Sequence, residues 1–357
     1  ELLANTSGIF LRTSWVELYA SKTMLVLFGT GYQWNFRSST QTTYLCAFHL
    51  QGGAVSPKAI GSVPGDLLDQ FSIDHKDNYL RVASTESGPW EWFDDPEEDG
   101  RRRWAQETNN RITVLEFPDE GDGFNKSVLE EVGSIDGLGE PGELIFAVRY
   151  VDDMAYVVTF LQTDPFYVID MSDATNPTRV GELKVSGFSN YLHAVDDDTL
   201  LAVGQEATDD GRAIGLQLSM FNVSNSSDPT LISRFTVEED DDSWSWSDAQ
   251  FEHKAFRYFS SLQKIILPAS IYGKNAFDGF LVFGINETND IVPEFNISHT
   301  SYYRGCTNLQ PRSIVVDKTV TTFKGNTVKN HDLMNGTKIW DVDLDENRAK
   351  DDCFWWW

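Results

Sequence analysis

The feature that most constrains this chain is a phrase it repeats. In residues 164–185, DPFYVIDMSDATNPTRVGELKV, Phe166, Val168 and Asp170 alternate with Tyr167, Ile169 and Met171, the period of a strand with two distinct faces. Residues 172–177 then supply Ser, Asp, Asn and Pro, which bend a chain through side-chain hydrogen bonds and a fixed φ, and a second short strand follows. The phrase is a β-hairpin with a polar loop. It returns at 218–237 around Asp228 and Pro229, and at 280–297 with Pro293 shifted along the turn. Looser copies occupy 43–62, 111–134 and 327–344. An apolar hairpin with a polar turn precedes each copy, at 15–28, 71–82, 145–160, 192–203, 255–267 and 314–323. Two hairpins make a four-stranded unit, and repetition of such units every few tens of residues is the signature of a β-propeller.

The predicted fold is therefore all-β, a β-propeller of six visible four-stranded blades at 15–65, 66–135, 143–186, 187–240, 246–300 and 312–345. An irregular segment, 1–14, precedes them and a Trp-rich tail, 346–357, follows. Either a seventh blade lies upstream of Glu1 or the ring closes with six. Within this frame 29–43 and 119–142 read as a polar loop and an acidic linker. The 357 residues suffice for two average domains, but the repeat spans them and favours one toroid. Hydrophobic residues at 41% and aromatics at 13% supply an all-β core, and no window carries a helical stripe. No run approaches the roughly eighteen apolar residues of a membrane helix, so no membrane span is expected.

A net charge of -27 repels phosphate and argues against nucleic acid as a partner. It suits solubility, divalent cations or cationic partners. Seven Asn-X-Ser/Thr triplets, at Asn5, Asn125, Asn222, Asn225, Asn286, Asn296 and Asn335, read as glycosylation sites of a secreted or cell-surface glycoprotein. Three cysteines fit that compartment: Cys306 and Cys353 flank the last repeat and are predicted to bridge it, while Cys46 reads as a buried free thiol.

The second blade carries an insertion, 84–110, in which Trp90 and Trp92 lead to a run of acids, an Asp99-Gly100 turn signal, three arginines and Trp104. It is either a self-paired hairpin or an arm that contacts a neighbour. Trp244 and Trp246 alternate in a way that suits stacking on a sugar or a partner, and Trp355, Trp356 and Trp357 call for burial against this chain or another.

The phrases at 63–85, 163–193 and 248–256 (DAQFEHKAF) resemble those of secreted β-propeller-domain proteins, and 164–185 is also similar to the LVIVD repeat of microbial cell-surface proteins. The resemblance implies fold and extracellular location and no catalytic residues. Sequons, paired cysteines and the Trp-rich tail suggest a eukaryotic secreted version.

Chemistry is sparse in the sequence. No HxH, HExxH, GxSxG or sialidase-type box occurs, and the chain reads as not an enzyme. His193 and His253 are expected at equivalent places on the first strands of adjacent blades, as candidate ligand residues at the channel mouth. The triplet Asp341, Asp343 and Asp345 imitates a calcium loop without its glycine, and the clusters at 196–198 and 240–242 are weak calcium candidates. The first reading is a non-catalytic structural or adhesive module that self-associates or binds other extracellular proteins. The second is a propeller that recognises a glycan or a calcium-bridged ligand. The third is a carbohydrate-active enzyme.

Overall fold

In a computed structural model of the protein, the described residues are 13, 15–34, 39–94, 102–118, 128–160, 164–208, 213–237, 244–274, 276–299 and 310–344. They fall into two compact units, residues 1–161 with 165–182 and residues 162–164 with 183–357.

The first unit holds three antiparallel sheets whose strands lie side by side in chain order. Blade 1 is β1 (Glu17–Ala20), β2 (Met24–Trp34), β3 (Ser39–Gln51) and β4 (Ala54–Pro64). Blade 2 is β5 (Ile73–Lys76), β6 (Tyr79–Asp94), β7 (Arg102–Glu116) and β8 (Glu130–Ile135). Blade 3 is β9 (Leu144–Val151), β10 (Met154–Phe160), β11 (Asp164–Asp170) and β12 (Thr178–Val185), whose last residues count with the second unit. Its core lies between the blades: Val26, Phe28 and Leu45 pack against Leu80, Val82 and Leu115, and Ile112 and Val114 against Val148, Val157 and Ile169.

The second unit repeats the plan. Blade 4 is β13 (Phe188–Ala194), β14 (Thr199–Ala207), β15 (Ala213–Asn222) and β16 (Thr230–Thr236). Blade 5 is β17 (Trp244–Trp246), β18 (Arg257–Phe259), β19 (Lys264–Tyr272), β20 (Phe277–Ile285) and β21 (Ile291–Ser298). Blade 6 is β22 (Arg312–Val316), β23 (Thr319–Lys324), β24 (Thr327–Asp332) and β25 (Lys338–Asp343). In this unit Ile266, Phe280, Val282 and Ile297 of blade 5 bury against Val320 and Leu333 of blade 6.

The turns follow from their residues. In blades 2, 3 and 6 the turns joining first and second strands are two residues long, Asp77-Asn78, Asp152-Asp153 and Asp317-Lys318, bracketed by the pairs Lys76 with Tyr79, Val151 with Met154, and Val316 with Thr319. Asp77, Asp152 and Asp317 adopt φ of 53°, 49° and 53°, a left-handed conformation that Asp tolerates better than most residues with a Cβ. The loops joining third and fourth strands share another device. Asp173 Oδ1 accepts from the backbone N–H of Thr175 at 2.9 Å and from its hydroxyl at 2.7 Å, and Asn222, Asn225 and Asn286 treat the Ser or Thr two residues on in the same way. In every blade the antiparallel order puts the first-to-second and third-to-fourth connections at one end, here the lower end. The opposite, upper end is where the second strand passes to the third.

Three expectations are corrected. Residues 29–43 are not one loop: the β2–β3 ladder runs on to Trp34 opposite Ser39, because Thr30, Tyr32, Gln41 and Thr43 continue the strand period. The span 119–142 is not all linker, since Glu130–Ile135 forms the fourth strand of blade 2. His193 and His253 are not equivalent. His193 lies inside β13 opposite Leu201, whereas His253 lies on a 3-10 turn, His253–Ala255, that interrupts the first strand of blade 5. The cause is capping chemistry. Ser247 accepts from Ala249 N–H and Gln250 returns to Ser247 N–H, closing a capping box over Asp248–Gln250. Glu252 then caps the second turn through Lys254 N–H at 3.1 Å. The first strand is thus split into β17 and β18, which pair with opposite ends of β19.

Candidate functional site

The face of blade 5 that packs on blade 6 changes character along its length. Ile266, Phe280 and Val282 are apolar and buried with Val320. Two or four residues further on, on the same face by the strand period of two, stand Ser270 on β19, Asp278 opposite it on β20, and Thr322 and Lys324 continuing from Val320 on β23. The core therefore opens into a polar cluster at the upper end. Ser270 donates to Asp278 Oδ1 at 2.7 Å, Lys324 Nζ donates to Ser270 Oγ at 3.2 Å, and Lys324 Nζ lies 2.6 Å from Asp278 Oδ1. The Lys324 side chain is 14% exposed and that of Asp278 39%, so the pair is accessible and contributes at most about 1 kcal/mol to folding.

His299 fixes the cluster from below. Its backbone N–H donates to Asp278 O at 2.7 Å, its Nδ1 is 2.7 Å from Thr327 Oγ1 and its Nε2 is 2.8 Å from Thr322 Oγ1. Burial first, then Lys329 and Lys324, push its pKa down to about 4, so the ring is neutral at pH 7. The Thr327 hydroxyl donates to Lys324 O at 3.1 Å and the Thr322 hydroxyl to Lys329 O at 3.4 Å, so each ring nitrogen faces a hydroxyl that can donate or accept.

Aromatic and acidic groups border the cluster. Trp244 on β17 is 52% exposed and lies flat on Tyr272, with ring centroids 4.5 Å apart and planes within 10°. Trp246 stands opposite Ser270, and its indole nitrogen is buried without a hydrogen-bond partner among the described residues. Asp248 is half-buried on the first 3-10 turn, and burial holds its carboxyl above the usual range against the opposing effect of Lys324. Glu252 pairs with Arg312 at 3.2 Å. The arrangement offers an aromatic plate, hydroxyl and ammonium donors, and carboxylate acceptors within one blade junction.

The other predicted residues are elsewhere. His193 sits among Phe256, Tyr258 and Tyr191, with ring centroids 5.0, 5.6 and 6.2 Å away, an aromatic packing role. His253 lies 3.8 Å from Glu252. Trp90, Trp92 and Trp104 occupy the β6–β7 ribbon, with Trp92 opposite Trp104 and Asp94 opposite Arg102. Asn222, Asn225, Asn286, Asn296 and Asn335 are all exposed, whereas Asn5, Asn125, Cys306, Cys353, Trp355, Trp356 and Trp357 lie outside the described residues, as do Asp345 and the 240–242 cluster. Cys46 is free and buried. Among the described residues no group of three or more acids, histidines or cysteines is placed to hold a metal ion, and Asp341 pairs with Lys338 at 2.9 Å. A small cleft in the first unit is lined by Lys76, Arg81 and Asp153, but Lys76 is taken by Asp153, and Arg81 by Asp74 and the carbonyl of Asp152.

Sequence reasoning missed Ser270, Asp278, Lys324 and His299. Each belongs to a different strand or strand end, and only the three-dimensional pairing makes them neighbours. Asp248 was in view within DAQFEHKAF, where nothing in the phrase marks it as the acid of a site.

A family model described as "Beta propeller domain" matches residues 3–336. The chain belongs to that family. An uncharacterized protein of Archaeoglobus fulgidus is 35% identical to this chain over 237 residues, which cover 66% of this chain and 31% of that protein. An uncharacterized protein of Methanocaldococcus jannaschii is 35% identical over 209 residues, 58% of this chain and 28% of that protein. The chain thus spans less than a third of each of these archaeal relatives, which lend no support to a eukaryotic version. Among solved structures, a periplasmic gluconolactonase of Pseudomonas aeruginosa is similar with a TM-score of 0.52 at 10% identity, covering 92% of this chain and 85% of that one. The likeness concerns fold. It also corrects the expectation that the chain is not an enzyme: an all-β propeller of this form carries a gluconolactonase there, so the absence of short catalytic motifs does not exclude catalysis.

Proposed function

We propose that the chain is an extracellular recognition module that binds saccharide at the upper end of blades 5 and 6. The observation that carries the reading is Trp244, half exposed and supported flat by Tyr272 beside Ser270, Asp278 and Lys324. The C–H face of a pyranose buries against an aromatic plane, and its hydroxyls exchange hydrogen bonds with a carboxylate and an ammonium. Extracellular placement draws its support from the exposed sequons, chiefly Asn296 on β21, which no turn requires. A glycan-cleaving enzyme that left the mass of native material unchanged would remove that part.

The test is a titration of intrinsic fluorescence with oligosaccharides, in wild-type chain and in Trp244→Ala. Saturable binding that the variant loses supports the reading, and equal binding by both contradicts it. Product analysis of the same mixtures shows whether bound sugar is also turned over.

A second reading, self-association, is favoured by a separate observation. All six residues of β25 are exposed, and Trp340, Val342 and Leu344 stand on one side of it. Mass photometry across a concentration series should show a dimer that Val342→Lys abolishes; monomers throughout would end this reading.

A further inference from the structure

We infer that the ligand of this site carries a basic amine, as an amino sugar does; the inference rests on the saccharide reading above. One acid of the site, Asp248, is without an ion pair among the described residues. Lys324 is engaged by Asp278 and Ser270, and Arg312 by Glu252. Asp248 stands on the turn that projects from the split first strand of blade 5. Lys329, the third base at this junction, donates to the carbonyl of Ser298, so of the acids Asp278, Glu252 and Asp248 the last is without a base. Asp248 is half-buried, so part of its hydration is already lost, and a cation arriving beside it restores what burial removed.

The neighbouring groups favour the same ligand. The exposed face of Trp244 attracts a cation as well as an apolar sugar face. At longer range the net charge of -27 draws cationic ligands in and repels uronates. A neutral sugar gains the stacking without the ion pair.

The experiment uses the full chain and three tetrasaccharides: tetra-glucosamine, its fully N-acetylated form, and a tetra-uronate, followed by fluorescence at low and at raised ionic strength. The expected result is that the amine form binds about five- to ten-fold tighter than the acetylated form, with the uronate weakest. Salt should shrink the preference. Asp248→Asn should bring the two affinities within about two-fold, while Asp228→Asn, a remote acid on the lower end of blade 4, should preserve the preference. Equal binding of amine and acetylated forms to the wild-type chain overturns the inference and leaves the saccharide reading standing. A preference that survives Asp248→Asn assigns it to the global charge and overturns the site. Failure of all three sugars to bind overturns both.

Discussion

Asn222 Oδ1 accepts the backbone N–H of Ser224 at 2.9 Å and its hydroxyl at 2.6 Å, so the first and third residues of a sequon are here the two halves of a turn. In blade 3 the equivalent residues are Asp170 and Ser172, joined by the same backbone bond at 2.8 Å, and Asp173 with Thr175 answers to Asn225 with Ser227. Asn286 with Thr288 and Asn335 with Thr337 add two more cases. Four of the five described sequons are thereby explained by the loop between third and fourth strands. Their number does not count independently toward glycosylation.

This gives the first prediction. Asn222→Asp and Asn225→Asp should leave the urea midpoint within experimental error, because Asp performs the same capping in blade 3. Asn222→Ala and Asn225→Ala should each cost about 1 kcal/mol. Equal losses for Asp and Ala would show that the turn is not what these residues serve.

Asp248 predicts a conflict between folding and binding. Its folded pKa lies above 3.8 through burial, so the folded state prefers the protonated form and carries a cost once the carboxylate ionises. Stability from this group grows as pH falls through the raised value and is lost above it. Asp248→Asn should therefore raise the urea midpoint at pH 7 with an unchanged slope, while weakening amine binding. A lowered midpoint would mean that the Lys324 attraction outweighs burial.

His299 makes the opposite contribution. Its pKa falls from 6.5 when unfolded to about 4 in place, so the unfolded chain binds the extra proton between those values. Stability should decline as pH drops from 6.5 toward 4, by up to about 3 kcal/mol over the window. His299→Gln should flatten that slope in denaturant melts at several pH values. An unaltered slope would place the titration elsewhere.

Gly204 marks a close approach in blade 4. A Cβ at this position would lie 1.8 Å from the carbonyl oxygen of Phe188, beside the register shift between Ser189 and Tyr191. Gly204→Ala should cost about 1–3 kcal/mol or more, read as a lowered melting temperature. A neutral effect would show that the β13–β14 pair can spread.

The hairpins were legible because their signals are local. Alternation in 166–171 and the Asp152-Asp153 and Asp317-Lys318 turns lie within a few residues of one another, and strand period and turn chemistry act at that range. The interruption at Ser247 to Ala255 was not, because capping by Ser247, Gln250 and Glu252 competes with the ladder and wins only when the turn is packed. The site was hidden for a different reason. Ser270, Asp278 and Lys324 are ordinary residues of alternating strands, and they become a cluster because β19, β20 and β23 bring their upper ends together.

The most direct test is hydrogen–deuterium exchange of the full chain with and without tetra-glucosamine. The account predicts slowed exchange confined to peptides spanning 244–252, 270–278 and 322–327, with the lower-end loops at 222–228 and 286–290 unaffected. Protection that spares Trp244 to Glu252, or that appears at the lower-end loops instead, would contradict it.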